Sequence, residues 1–109
     1  MVKEIEVEES SGNVFADMGY SNPEEALAKS RLAQRIAELI DEQNLTQIQA
    51  AALLGIDQPK VSKLLRGQLR EFSTDRLFRF LNAFNQDVEI VIRQKPRTRQ
   101  QATLSVISA

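Results

Sequence analysis

Thr46 to Gly67, TQIQAAALLGIDQPKVSKLLRG, reads as two short helices joined by a tight turn. Thr46 followed by Gln49 fits a capping box, in which the hydroxyl accepts from a backbone N–H and the side-chain amide reaches back. Ala50, Ala51, Leu53 and Leu54 make a short helix of mainly small residues that a neighbour can approach closely. Gly55 stands where that helix must stop in a left-handed conformation, which glycine adopts cheaply. Asp57 is placed to cap a second helix, and Pro59 is tolerated in its first turn, where the missing N–H has no partner to lose. Val61, Leu64 and Leu65 then fall at i, i+3 and i+4 and share an apolar face. The opposite face carries Pro59, Ser62, Lys63 and Arg66, with Gln58 at the N-terminal tip and Lys60 on the flank.

A helix, a glycine turn and a second helix at this spacing make the helix-turn-helix plan, in which the second helix enters a DNA major groove. The side chains on the open face suit that use. Gln and Ser can bond base edges, and Lys and Arg can contact guanine or phosphate. The plain alternative is a solvated helix that happens to be basic. The net charge of −1 over 109 residues weighs against DNA only until its distribution is read. Residues 1–26 hold Lys3 against Glu4, Glu6, Glu8, Glu9, Asp17, Glu24 and Glu25, a net of −6. Residues 58–79 hold Lys60, Lys63, Arg66, Arg70, Arg76 and Arg79 against Glu71 and Asp75, a net of +4. Arg93, Lys95, Arg97 and Arg99 follow with no acid among them. Local potential, not the sum, governs attraction to phosphate.

The segments TQ, AAxLGI and QPKVSKLLRG resemble the XRE, or Cro/cI, class of helix-turn-helix repressors over about residues 24–84. More narrowly, SGNVFADMGYSNPEEAL, LREFSTDRLFRFLNAF and DVEIVIR resemble the HigA-like antitoxins of that class. The resemblance implies that the first residues of the second helix read bases, which places that role on Gln58, Pro59, Ser62 and Lys63. It places a phosphate contact on Gln47. Pro59 departs from the polar residue many relatives carry and has no hydrogen bond to offer, although its ring can meet a thymine methyl. The HigA likeness further implies a cognate toxin, an mRNA-cleaving ribonuclease, as a partner.

The flanks extend the helical reading. Asn22-Pro23-Glu24-Glu25 is a helix start with a cap, proline at the first position and acids at the positive dipole end. That helix is predicted to run to about Gln43 on a stripe of Leu32, Ile36, Leu39 and Ile40. Ser73 caps a further helix, with Phe72 and Leu77 as a hydrophobic staple, a stripe of Leu77, Phe80, Leu81 and Phe84, and Asn85 as its close. Before these, KEIEVE at 3–8 permits an edge strand or extended arm, and residues 13–18 a single turn ended by Gly19. After them the period changes to two in DVEIVIR, 87–93, with Val88, Ile90 and Ile92 on one side. One strand alone is marginal, so its partner is either the arm at 3–8 or the same strand of a second chain. The second is preferred, because a two-fold dimer is what reads a palindrome. Residues 94–109 read as a basic, polar tail of low order, although TLSVIS can form a short strand.

The expected fold is therefore mainly α, a lambda-repressor-like bundle of four or five helices with one C-terminal β-strand paired across a dimer. Its parts are an acidic arm (1–21), a helix-turn-helix domain with its dimerisation strand (22–93) and the tail (94–109). The absence of cysteine and histidine excludes disulfides, Cys/His zinc sites and an imidazole base. No glycine-rich phosphate loop or paired acids suggest a catalytic site, and no cofactor or metal is implied. The acidic N-terminus and short apolar runs argue for a cytoplasmic protein with no membrane partner. The function expected is a sequence-specific repressor binding an inverted repeat in double-stranded DNA as a homodimer. Gln47, Lys60, Arg66 and Arg70 would touch phosphate, and Gln58, Ser62 and Lys63 would read bases. An antitoxin would also use some surface on its toxin. The acidic arm is a candidate for that surface, or equally a solvated segment. The other functional class is a protein-interaction adaptor that keeps the scaffold without binding DNA.

Overall fold

A computed structural model describes residues 3–5 and 22–108 of the chain. Its elements are β1 (Lys3–Ile5), α1 (Pro23–Glu42), α2 (Gln47–Leu54), α3 (Gln58–Leu65), α4 (Thr74–Ala83) and β2 (Val106–Ser108). The chain divides into two compact units, Lys29–Val88 and, separately, Met1–Ala28 with Glu89–Ala109. The mainly helical class expected from the sequence is the class observed.

Each helix begins where a side chain can satisfy its free N–H groups. The Glu25 N–H donates to Asn22 Oδ1 at 3.2 Å, with Pro23 as the first residue of α1. The Gln49 N–H donates to Thr46 Oγ1 at 3.1 Å, and the Thr46 N–H to Gln49 Oε1 at 2.8 Å, completing a capping box. Asp57 receives the Lys60 N–H at 2.9 Å, and Ser73 the Arg76 N–H at 3.1 Å. Such caps are each worth about 1 kcal/mol, a sizeable contribution for helices as short as α2 and α3.

All four helices also end alike. The positive-φ residues described are Asn44 (54°), Gly55 (70°), Gly67 (76°) and Asn85 (60°), and each stands just beyond a helix. The N–H of the next residue returns to a carbonyl in the last turn: Leu45 to Ile40, Ile56 to Ala51, Gln68 to Lys63 and Gln86 to Leu81, at 2.9–3.1 Å. This left-handed closure satisfies carbonyls that would otherwise be orphaned and turns the chain sharply. The sequence marks these stops with asparagine and glycine, the residues that tolerate φ > 0.

The core of the Lys29–Val88 unit collects the predicted stripes. Leu32, Ile36, Leu39 and Ile40 of α1 are buried, as are Ala50, Ala51 and Leu54 of α2 and Val61 and Leu64 of α3. Leu77, Phe80 and Leu81 of α4, and Phe84 at its C-cap, join them. α2 packs against both α3 and α4, which its alanines permit by letting the backbones approach. Phe72, in the loop before α4, is 1 % exposed and meets Phe80 edge-on, with ring centroids 6.0 Å apart. The Arg76 guanidinium lies over both rings, at 5.6 and 5.7 Å from their centroids. Leu65 is only half-buried, and Ile48 and Leu53 of α2 are exposed, because an eight-residue helix has room for one buried stripe.

The β-structure departs from expectation. β1 pairs antiparallel with β2, in the register Lys3↔Ser108, Glu4↔Ile107 and Ile5↔Val106. The C-terminal strand of this ladder is thus Val106–Ser108, the last three residues of TLSVIS, and not DVEIVIR. Residues 87–93 lie in no ladder, and Ile90, Val91 and Ile92 are 74 %, 63 % and 92 % exposed. Period two shows that a segment can be a strand, but a strand needs a partner backbone. The arm that might have paired with 88–93 is engaged by 106–108 instead. Nor is the tail featureless. The Arg99 N–H closes a turn on the Pro96 carbonyl at 3.2 Å, and Lys95 Nζ donates to the Arg99 carbonyl at 2.9 Å. The expected turn at 13–18, and the acids at 6, 8, 9 and 17, lie outside the described residues.

Candidate nucleic-acid interface

The open surface of the α2–α3 pair is built by the turn between them. Gly55 and the Asp57 cap set the direction of α3, and its buried face, Val61 and Leu64, fixes its rotation. What remains outward is the polar side that the sequence pattern predicts. Gln58 and Pro59 are exposed at the start of α3, and Ser62 and Lys63 are half-exposed one turn on. Lys60 is half-buried on the flank, Arg66 is exposed at the C-terminal end, and Arg70 is exposed in the following loop.

The structure brings together two residues that lie eleven apart in sequence. Gln58 Nε2 donates to Gln47 Oε1 at 3.4 Å, across the N-termini of α3 and α2. The bond uses the Gln47 oxygen, which leaves its amide N–H groups as donors and the Gln58 oxygen as an acceptor. The two amides therefore present donors and acceptors side by side on one surface. Gln47 is half-buried and Gln58 exposed, so both can be reached.

Two further contacts define the cationic side. Arg66 Nε donates to the Ser62 carbonyl at 3.3 Å, which draws the guanidinium back along α3. Lys63 Nζ donates to both carboxylate oxygens of Glu71, at 3.1 and 3.2 Å. Sequence reading did not foresee the contact of Glu71 with Lys63. Its only signal was that Glu71 is one of two acids in a largely basic stretch, and nothing in the helical period says that the loop after α3 returns toward Lys63. Among the described residues there is no cluster of acids able to hold a metal ion, and no helix long and apolar enough to cross a membrane.

Comparison with known proteins agrees with this geometry. Residues 14–93 match the model of a family described as helix-turn-helix domain. A solved structure of a protein described as an XRE family transcriptional regulator is similar at 52 % identity and a TM-score of 0.77. The similarity covers 81 % of this chain and 99 % of that one. No curated protein matches.

The turn that sets α3 can be tested alone. A Cβ added at Gly55 would have no atom within 4 Å, so the cost of Gly55→Ala is conformational only. At φ 70° that cost is about 1–2 kcal/mol. Gly55→Asn should cost less, since Asn44 and Asn85 hold the same conformation at other helix ends. Urea unfolding of the two variants decides this, and an alanine variant as stable as the parent would remove the glycine from the argument.

Proposed function

The chain belongs to the helix-turn-helix domain family of XRE-type transcriptional regulators, and from that premise we propose that it represses transcription by occupying an inverted-repeat operator as a homodimer. The observation that supports this most is the exposed N-terminal end of α3, where Gln58 is joined to Gln47. A helix entering the major groove presents this end to base edges, and amides at such positions recognise adenine through N6 and N7. Gln58, Ser62 and Lys63 read bases, and Pro59 packs against a thymine methyl. Lys60, Arg66, Arg70 and the Gln47 amide hold phosphates. No bond is made or broken in this function, which is one of position and occupancy.

The dimer rests on residues 88–93. Ile90, Val91 and Ile92 are the most exposed large apolar side chains at the end of the helical region, and their backbone lies in no ladder. Antiparallel pairing of this segment with its copy about a two-fold axis engages the open backbone edge and brings together the Val88, Ile90 and Ile92 sides of both copies, with Val91 on the opposite side. It also sets two recognition helices at the separation of one DNA turn, about 34 Å. The antitoxin role rests on the HigA-like segments in the sequence. The acidic N-terminal region suits the basic surface that a ribonuclease needs to hold RNA.

Three measurements test this reading. Gln58→Ala should weaken binding to the operator by about 1–3 kcal/mol and relax preference at one base position. Lys60→Ala should instead weaken all duplexes about equally and lower the salt slope by about one unit. A titration over mutated operators in which both variants behave alike would reject the assignment. Ile90→Asp places a charge in the proposed dimer layer at a cost of several kcal/mol. Sedimentation should find it monomeric beside a dimeric parent, and a parent that is already monomeric at high concentration would reject this interface. For the toxin, deletion of residues 1–12 should impair neutralisation while operator binding persists. Full growth rescue by the truncated chain, in cells expressing the toxin, would remove the arm from the mechanism.

A further inference from the structure

Of the side chains on the recognition face, Lys63 is held by a carboxylate from outside its own helix. Its Nζ donates to Glu71 Oε1 and Oε2 at 3.1 and 3.2 Å. The lysine side chain is 40 % exposed and the glutamate 52 %, so the pair is open to solvent. Arg66, the C-cap of the same helix, directs its Nε to a neutral partner, the Ser62 carbonyl.

We propose that Glu71 is a positioning residue that gives the surface part of its sequence discrimination, by restraining the Lys63 ammonium. The proposal rests on the DNA-binding reading above. A lysine ammonium is a mobile point charge with three donors on a flexible stem. Left free at a duplex, it is drawn to whichever phosphate is within reach, and that contact carries no sequence information. Paired with Glu71, its donors are partly engaged and part of its charge is offset. A remaining N–H can still meet a guanine O6 or N7, a contact that depends on direction and on the base. The carboxylate, an acceptor only, repels phosphate and so disfavours the ammonium's swing to the backbone.

The exposure of the pair sets its strength. Surface ion pairs contribute little, and this one biases the lysine without locking it. A correct base edge can therefore recruit the ammonium at small cost, whereas a random duplex gains less from it than from a free lysine. Glu71 thus suppresses non-specific affinity more than specific affinity.

The test uses the full chain with two probes, a mixed-sequence duplex and a duplex selected by the parent protein from a randomised library. Glu71→Gln should bind the mixed-sequence duplex about two- to fivefold tighter. Its salt slope there should steepen by about one unit, while the selected duplex gains less and the ratio of affinities falls. Glu71→Asp, which keeps the carboxylate, should stay closer to the parental ratio. In a Lys63→Ala background, Glu71→Gln should leave the ratio unchanged. An equal gain on both duplexes, or the same fall in ratio without Lys63, would show that Glu71 acts as a plain negative charge and overturn the proposal. A parent that binds DNA beside an unchanged Glu71→Gln variant would also sink it, leaving the DNA reading intact. A parent with no salt-dependent affinity for either duplex would overturn both.

Discussion

The bond from the Ile56 N–H to the Ala51 carbonyl, closed through Gly55 at φ 70°, governs how α3 leaves α2. The outward surface depends on that turn. With α3 in this direction, Val61 and Leu64 fall into the core and the polar side of the helix is left open. Gln58 then comes within hydrogen-bonding distance of Gln47. The same closure ends the other helices at Asn44, Gly67 and Asn85, so one backbone device sets every helix-to-loop corner described. Caps at Asn22, Thr46, Asp57 and Ser73 fix the other ends. Because both ends of each helix are specified locally, the small core has few alternative helix boundaries to exclude.

The surface chemistry follows from uneven distribution, not from total charge. A chain of net charge −1 can hold a cationic face because its acids gather toward the N-terminus. Within that face the polar groups are not equivalent. Gln47 and Gln58 are joined to each other, Arg66 is turned to a backbone carbonyl, and Lys63 is paired with Glu71. Such contacts are weak in water, yet each reduces the number of arrangements the face presents to a ligand. Order at low energetic cost suits a surface that must release these bonds when it binds.

Much of the helical unit was legible because its signals are local. A capping box needs Thr46 and Gln49 alone, and a left-handed stop needs one glycine or asparagine. The stripe of Leu77, Phe80, Leu81 and Phe84 repeats within ten residues. The ladder between residues 3–5 and 106–108 was not foreseen, for the opposite reason. DVEIVIR alternates more regularly than TLSVIS, but alternation describes one chain and pairing requires two. Residues 3–5 pair with 106–108, from the far end of the sequence, a choice that no local pattern encodes.

The site divides along the same line. The sequence by itself determined the helix boundaries, the buried stripes and which residues of α3 face outward, since each follows from a period of 3.6 and the chemistry of caps and stops. Tertiary structure alone decided which of those outward groups touch. The meeting of Gln58 with Gln47 depends on the angle between two helices, and that of Lys63 with Glu71 on the path of the loop after α3. It likewise decided that Leu69 fills the core from a loop, and that β1 pairs with β2. The physical reason is range: hydrogen bonds along a helix are set by neighbours a few residues away, whereas packing and side-chain pairing between elements depend on where the whole chain comes to rest.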